Sequence, residues 1–150
     1  MLLSKSCVYG LRATLYLATN RNEEYTSIKK ISEKLDISFH FLTKILQQLT
    51  AANLLESLQG PKGGVRLAQP ANEISLRDIV VAIDGDDLLT SCVLGLPGCG
   101  KAKPCPLHDM WQNTRHQIKT MLETTSLIEV AKKGKAENLR ITADGNFIWN

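Results

Sequence analysis

The sequence predicts a mainly α-helical chain with one small β-hairpin and a long helix towards its C-terminal end. Three observations carry this. Two stretches of helical periodicity, residues 27–35 and 38–49, are separated only by the short break at Asp36-Ile37-Ser38. A Gly60-Pro61-Lys62-Gly63-Gly64 turn divides two apolar segments, residues 54–58 and 65–67. One stripe of Leu107, Trp111, Thr114, Ile118, Met121, Leu122 and Thr125 then runs through residues 106–126.

A first helix is expected over residues 4–19, where Val8, Leu11, Leu15 and Ala18 repeat at helical spacing, with Leu3 and Cys7 beside the stripe. Residues 21–24 read as a polar turn. Thr26 or Ser27 caps the second helix, whose buried face is Ile28, Ile31, Ser32 and Leu35. Ser38 is placed to cap the third, with Leu42, Ile45, Leu46 and Leu49 turned inward. Two short helices across a three-residue turn form a helix-turn-helix. The outward face of the second of the pair carries His40, Thr43, Lys44, Gln47 and Gln48, side chains that can hydrogen-bond base edges or simply solvate a surface helix.

The hairpin that follows turns the pair into a winged helix-turn-helix. Lys62 at its tip and Arg66 on its returning strand can reach phosphates or a minor groove. Ser75 caps a fourth helix with Leu76, Ile79, Val80 and Ile83 on one face, ended by Asp84-Gly85-Asp86-Asp87. Those aspartates lack the ligand order of a calcium loop and read as a solvated turn. A helix as long as the one at 106–126 needs cover for its apolar stripe, either its own domain or, more simply, a second copy of the chain. Leu127, Ile128 and Val130 continue a short helical piece, Lys132-Lys133-Gly134-Lys135 reads as a basic break, and the residues through Asp144-Gly145-Asn146 read as a weakly ordered tail that adds at most a strand.

Between the fourth helix and the long one lies the densest chemistry. Cys92, Cys99, Cys105 and His108 fall within seventeen residues, separated by six, five and two others. Gly95, Gly98 and Gly100 let this loop fold tightly while Pro97, Pro104 and Pro106 stiffen it. Pro106 reads as the first residue of the long helix, which would put Cys105 at a helix N-terminus and favour its thiolate. Three soft ligands and one borderline ligand suit zinc or an iron–sulfur cluster. Structural zinc sites usually use close Cys-x-x-Cys pairs, and the wide spacing fits a larger cluster better. A disulfide and plain core cysteines are the remaining readings.

The chain has 150 residues and 43% apolar content, enough for one domain with an attached helical arm and an aliphatic core. It has no run of about 18 apolar residues and no signal-peptide layout, so no membrane contact and a cytoplasmic setting with reduced thiols are expected. Net charge is +3. Residues 1–70 hold nine basic and five acidic side chains, and residues 71–150 hold nine and ten, so the basic excess lies with the winged segment. No Cys-x-x-Cys pair and no acid–base or nucleophile constellation accompany the cysteines, which argues against a thiol redox enzyme or any other enzyme.

Together these residues resemble the iron–sulfur regulator family that includes IscR, NsrR and RirA. The resemblance spans about residues 1–131 and rests on Ser4-Lys5, Tyr9-Gly10-Leu11-Arg12-Ala13, Ile37-Ser38 with Phe41-Leu42, Gly60-Pro61-Lys62-Gly63-Gly64 and the three loop cysteines. It implies a winged helix-turn-helix domain at 1–84, a cysteine loop and dimerisation helix at 85–131, and a C-terminal tail at 132–150. It implies a homodimeric transcription regulator, a repressor, that binds a palindromic operator in double-stranded DNA under the control of an iron–sulfur cluster sensing cluster status, redox state or nitric oxide. The implied DNA contacts are Ser38, His40, Phe41, Thr43, Lys44 and Gln47 on the recognition helix, with Gln59, Lys62, Gly63 and Arg66 on the wing. Gln59 stands where the family commonly has arginine.

The implied cluster ligands are Cys92, Cys99 and Cys105. The IscR branch adds a histidine just after the third cysteine, matched here by His108, which implies a 2Fe–2S cluster. The NsrR branch uses an acidic residue of the partner's first helix, where this chain has Val8. Cys7 lies next to that position and would allow a 4Fe–4S cluster instead. The first cysteine gap, six residues, is one longer than in the IscR branch. The same fold without a cluster, binding zinc or a partner protein, is the alternative.

Overall fold

A computed structural model describes residues 2–19 and 24–143. The chain runs α1 (Lys5–Thr19), α2 (Ile28–Leu35), α3 (Phe39–Ala51), β1 (Leu55–Leu58), β2 (Gly64–Leu67), α4 (Leu76–Asp84), α5 (Asp87–Thr90), α6 (His108–Thr124) and α7 (Leu127–Glu137). The expected polar turn lies largely outside the described residues; of the expected tail at 132–150, residues 144–150 lie outside them, while its first residues continue α7 as far as Glu137.

α2 starts where Ser27 Oγ accepts the Lys30 N–H at 3.1 Å, and it stops where Asp36 turns left-handed at φ 53°. Ser38 takes the N-cap position of α3 without a side-chain capping bond; its carbonyl accepts the Leu42 N–H at 2.8 Å. The predicted inward face is buried as expected: Leu42, Ile45, Leu46 and Leu49 pack with Ile31, Leu35 and the α1 residues Leu15, Tyr16 and Leu17. Each such aliphatic side chain removed from water contributes about 1.5–3 kcal/mol.

The hairpin is antiparallel, with Leu55 opposite Leu67 and Ser57 opposite Val65. Val65 also exchanges both backbone hydrogen bonds with Thr26, each 2.9 Å, which ties the wing to the segment before α2. Gly64 makes this possible. Its φ is +152°, and a Cβ there would collide with the Thr26 carbonyl. α4 opens with a full capping box between Ser75 and Asp78 and closes at Gly85, φ 76°.

Three boundaries differ from the sequence reading. The aspartate turn leads straight into α5, a single helical turn too short to show a period. α6 begins at His108, because Pro106 and Leu107 form a turn closed by the His108 N–H on the Cys105 carbonyl at 3.0 Å. A turn suits proline as well as a helix start does. The third correction is the basic break: α7 runs through Lys132-Lys133-Gly134-Lys135 to Glu137. Gly134 is buried while the three lysines point outward, so the glycine is a packing position on a continuous helix. Leu127 and Ala131 of the same helix join the main core.

A second apolar cluster joins Cys7 of α1, Val80 of α4, Leu89 of α5 and Leu122 of α6, so it links the winged segment to the long helix. At the same junction the Ser4 N–H donates to Asp84 Oδ2 at 2.9 Å and the Ser4 hydroxyl bonds the other carboxylate oxygen. Along α6 only Leu122 is fully buried, while Met110 and Met121 are largely exposed. Among the described residues no helix is long and apolar enough to cross a membrane.

Candidate metal centre and nucleic-acid interface

The loop between α5 and α6 folds back so that its cysteines converge. The Sγ atoms of Cys92, Cys99 and Cys105 all lie within 4.8 Å of one another. Cys92 Sγ is 3.5 Å from Cys105 Sγ, and Cys99 Sγ is 3.6 Å from His108 Nδ1. None of the three is joined in a disulfide. Tight turns produce the convergence. The Gly95 N–H reaches the Cys92 carbonyl at 3.0 Å, and Gly95 and Gly98 both take φ near +70°.

The loop is anchored to α6 by polar contacts. Trp111 Nε1 donates to the Ser91 carbonyl at 2.9 Å, and the Arg115 guanidinium donates to the Thr90 and Ser91 carbonyls at 3.2 and 3.0 Å. Those bonds hold the residue before Cys92 against the helix that begins with His108.

The acidities are the reverse of the sequence expectation. Cys105 precedes a turn instead of the helix itself, and burial raises its thiol above the ordinary value. Cys92 is lowered to about 7, chiefly by backbone hydrogen bonds from Leu96 and then Leu94. The loop's own amides, not the α6 terminus, prepare a thiolate.

Cys7 is placed elsewhere. It is fully buried in the second apolar cluster, and its thiol is pushed up to about 12, first by burial and then by the Asp84 carboxylate.

On α3, His40, Lys44 and Gln47 are exposed with Ser38 at its start. Thr43 is half-buried and its hydroxyl donates to the Phe39 carbonyl at 2.8 Å. Phe41 departs from expectation: it packs on the core, edge-on to Tyr9 with ring centroids 5.7 Å apart. On the wing, Gln59 and Lys62 are exposed, and Gly63 closes the turn with its N–H 2.9 Å from the Gly60 carbonyl. Arg66 is already engaged, 2.9 Å from Glu56 and over the Tyr25 ring at 4.5 Å.

Two cations that the sequence reading quoted only for the family resemblance are held against one ring. Lys5 and Arg12 both lie 5.6 Å from the Tyr9 ring centre, beside the inward Phe41. Their spacing with Tyr9, four and three residues, is a helical stripe on the polar side of α1 and was visible in the sequence.

A family model described as Rrf2, iron-dependent transcriptional regulator, matches residues 3–133. The HTH-type transcriptional regulator IscR of Aliivibrio salmonicida is 31% identical over 130 residues, which span 87% of this chain and 77% of that protein. The structure of CymR (YrzC), the global cysteine regulator of B. subtilis, aligns with a TM-score of 0.75 at 27% identity, covering 87% of this chain and 96% of that one. IscR of T. potens aligns at 0.73 over 92% and 91%, and at 23% identity it speaks to the fold alone.

Proposed function

This chain belongs to the Rrf2 family of transcriptional regulators, and on that premise we propose that it is a homodimeric repressor whose grip on a palindromic operator is set by an iron–sulfur cluster. Its relatives are regulators, not enzymes. The observation that carries the cluster reading is the convergence of Cys92, Cys99 and Cys105 within 4.8 Å. With His108 the donors fall into two close pairs, Cys92 with Cys105 and Cys99 with His108. Two donors for each of two metal atoms is the pattern of a 2Fe–2S centre, and thiolates with imidazole are ligands such iron accepts.

Such a cluster supplies a redox-active centre that oxygen or nitric oxide can destroy. The chain's own residues turn that into a change of shape. Cys92 follows the Ser91 carbonyl that Trp111 and Arg115 hold, and His108 opens α6. Holding all four donors together therefore fixes the loop's start against the first turn of α6. α6 leaves Met110 and Met121 exposed, an apolar face for a second copy. Half-sites of one palindrome require readers about 34–36 Å apart or multiples of it, so a small turn of α6 changes how well two wings fit. A state that binds the operator better is favoured only by that difference in affinity.

The test is anaerobic purification with visible spectrum, iron, sulfide and zinc assays, then operator titration of the wild type and of the chain with all three loop cysteines replaced by serine. Iron with matching sulfide, and operator affinity that changes between the two proteins, is the expected result. A colourless protein holding one zinc favours the second reading, a Cys3His zinc site, which the same four donors also compose.

A further inference from the structure

Phe39 is the first residue of the recognition helix, and it remains 45% exposed, the one strongly exposed residue among the phenylalanines, tyrosines and tryptophans of the described residues. The helix had an alternative two residues on, but Phe41 faces inward against Tyr9. The Phe39 ring stands edge-on to His40 at 5.7 Å, which extends the aromatic surface at the helix start. Four residues later Thr43 shares its face of the helix. Thr43 spends its hydroxyl hydrogen on the Phe39 carbonyl. What it has left for a base is an acceptor lone pair and a methyl group.

The first residues of a recognition helix are those that meet base edges. In the major groove the one apolar feature of any base pair is the 5-methyl group of thymine, and phenylalanine and the threonine methyl are side chains that contact it. Resting on the DNA-reading role of α3 argued above, we propose that Phe39, backed by Thr43, is a specificity-determining residue that selects thymine through its 5-methyl group. The polar side chains His40, Lys44 and Gln47 then read hydrogen-bonding edges on either side of an apolar step.

Replacing thymine by deoxyuridine removes the methyl and keeps every hydrogen-bonding group. The experiment first selects an operator from random duplexes with the full chain, then titrates duplexes carrying deoxyuridine at one thymine at a time. The wild type loses about four-fold at one or two positions per half-site, the effect of about 0.8 kcal/mol for one methyl group at 1.4 kcal/mol per tenfold. Phe39→Ala binds the thymine and deoxyuridine duplexes equally at those positions, and Phe39→Leu keeps part of the preference. Equal wild-type binding to every deoxyuridine duplex overturns the inference, as does full discrimination in Phe39→Ala, and either leaves the DNA-reading role standing. A selection that enriches no sequence removes that role and the inference with it.

Discussion

The sulfurs of Cys92 and Cys105 lie 3.5 Å apart across thirteen positions of chain, yet their surroundings push their acidities in opposite directions. Cys92 sits where the Leu96 and Leu94 amides stabilise a negative sulfur, and it falls to about 7. Cys105 is buried beside it and holds its proton more firmly than an ordinary thiol. A metal bound by the three cysteines, as proposed above, would meet one ready thiolate and would have to displace a proton from its neighbour.

That asymmetry predicts an order of alkylation in the metal-free protein. Near pH 7 roughly half of Cys92 is thiolate by its value of about 7, so iodoacetamide labels it ahead of Cys105. Peptide mapping by mass spectrometry after short exposures checks this. Cys105 labelled first would mean that the α6 terminus, and not the loop amides, governs the site.

Cys7 and His108 separate cleanly on metal retention. His108→Ala weakens retention, because Nδ1 lies 3.6 Å from Cys99 Sγ. Cys7→Ala leaves metal content unchanged, because Cys7 sits in the core with Val80, Leu89 and Leu122. Cys7 has a signature of its own in stability. Its thiol rises from an ordinary value of 9.0 to about 12 in the folded chain. Below pH 9 both states keep the proton and Cys7 adds no slope. Between about 9 and 12 the unfolded chain releases it first, so stability falls as pH rises, by at most about 1.4 kcal/mol per unit. Denaturation midpoints of wild type and Cys7→Ala converge as pH climbs through that window. Parallel curves would show that Cys7 titrates as an exposed thiol does.

Much of this architecture was legible because its signals are periodic or chemically singular. Ile31, Leu35, Leu42, Ile45, Leu46 and Leu49 all occupy the predicted buried faces. Gly60-Pro61-Lys62-Gly63-Gly64 turns the wing where turn chemistry places it. What escaped depends on distances that no local pattern encodes. The α5 turn is shorter than one readable period. Gly134 looked like a breaker because its burial comes from a helix–core contact far away in sequence. Which of Phe39 and Phe41 faces outward turns on Tyr9, some thirty residues earlier, occupying the inner side. The triad of cysteines was found by composition, but its acidities were misjudged because Leu94 and Leu96 amides contribute nothing that a side-chain reading can see.

Gly64→Ala should unseat the wing. The new Cβ meets the Thr26 backbone, and alanine resists a φ of +152°. Both Thr26–Val65 hydrogen bonds must lengthen. A loss of about 1–3 kcal/mol in stability follows from overpacking alone, accompanied by weaker binding to any duplex. Thermal melts and titration on operator DNA check the two effects together. An unchanged melt would mean the segment before α2 moves aside without cost.

The wing's two cations should behave differently on DNA, for a reason the sequence hid. Lys62 is exposed at the hairpin tip, while Arg66 holds Glu56 at 2.9 Å and covers the Tyr25 ring at 4.5 Å. A phosphate contact releases counterions, and removing one lowers the slope of log affinity against log salt by about one. Lys62→Ala should show that drop on operator and scrambled duplexes alike. Arg66→Ala should show less of it, since Glu56 already neutralises much of its charge, and should instead loosen the hairpin by leaving Glu56 and Tyr25 uncovered. Affinity measured over a salt series, with a melt of each variant, distinguishes the two. An equal fall in slope for both would mean that Arg66 leaves Glu56 when DNA arrives, and that the pair seen in the free chain is the position from which the arginine swings onto the backbone.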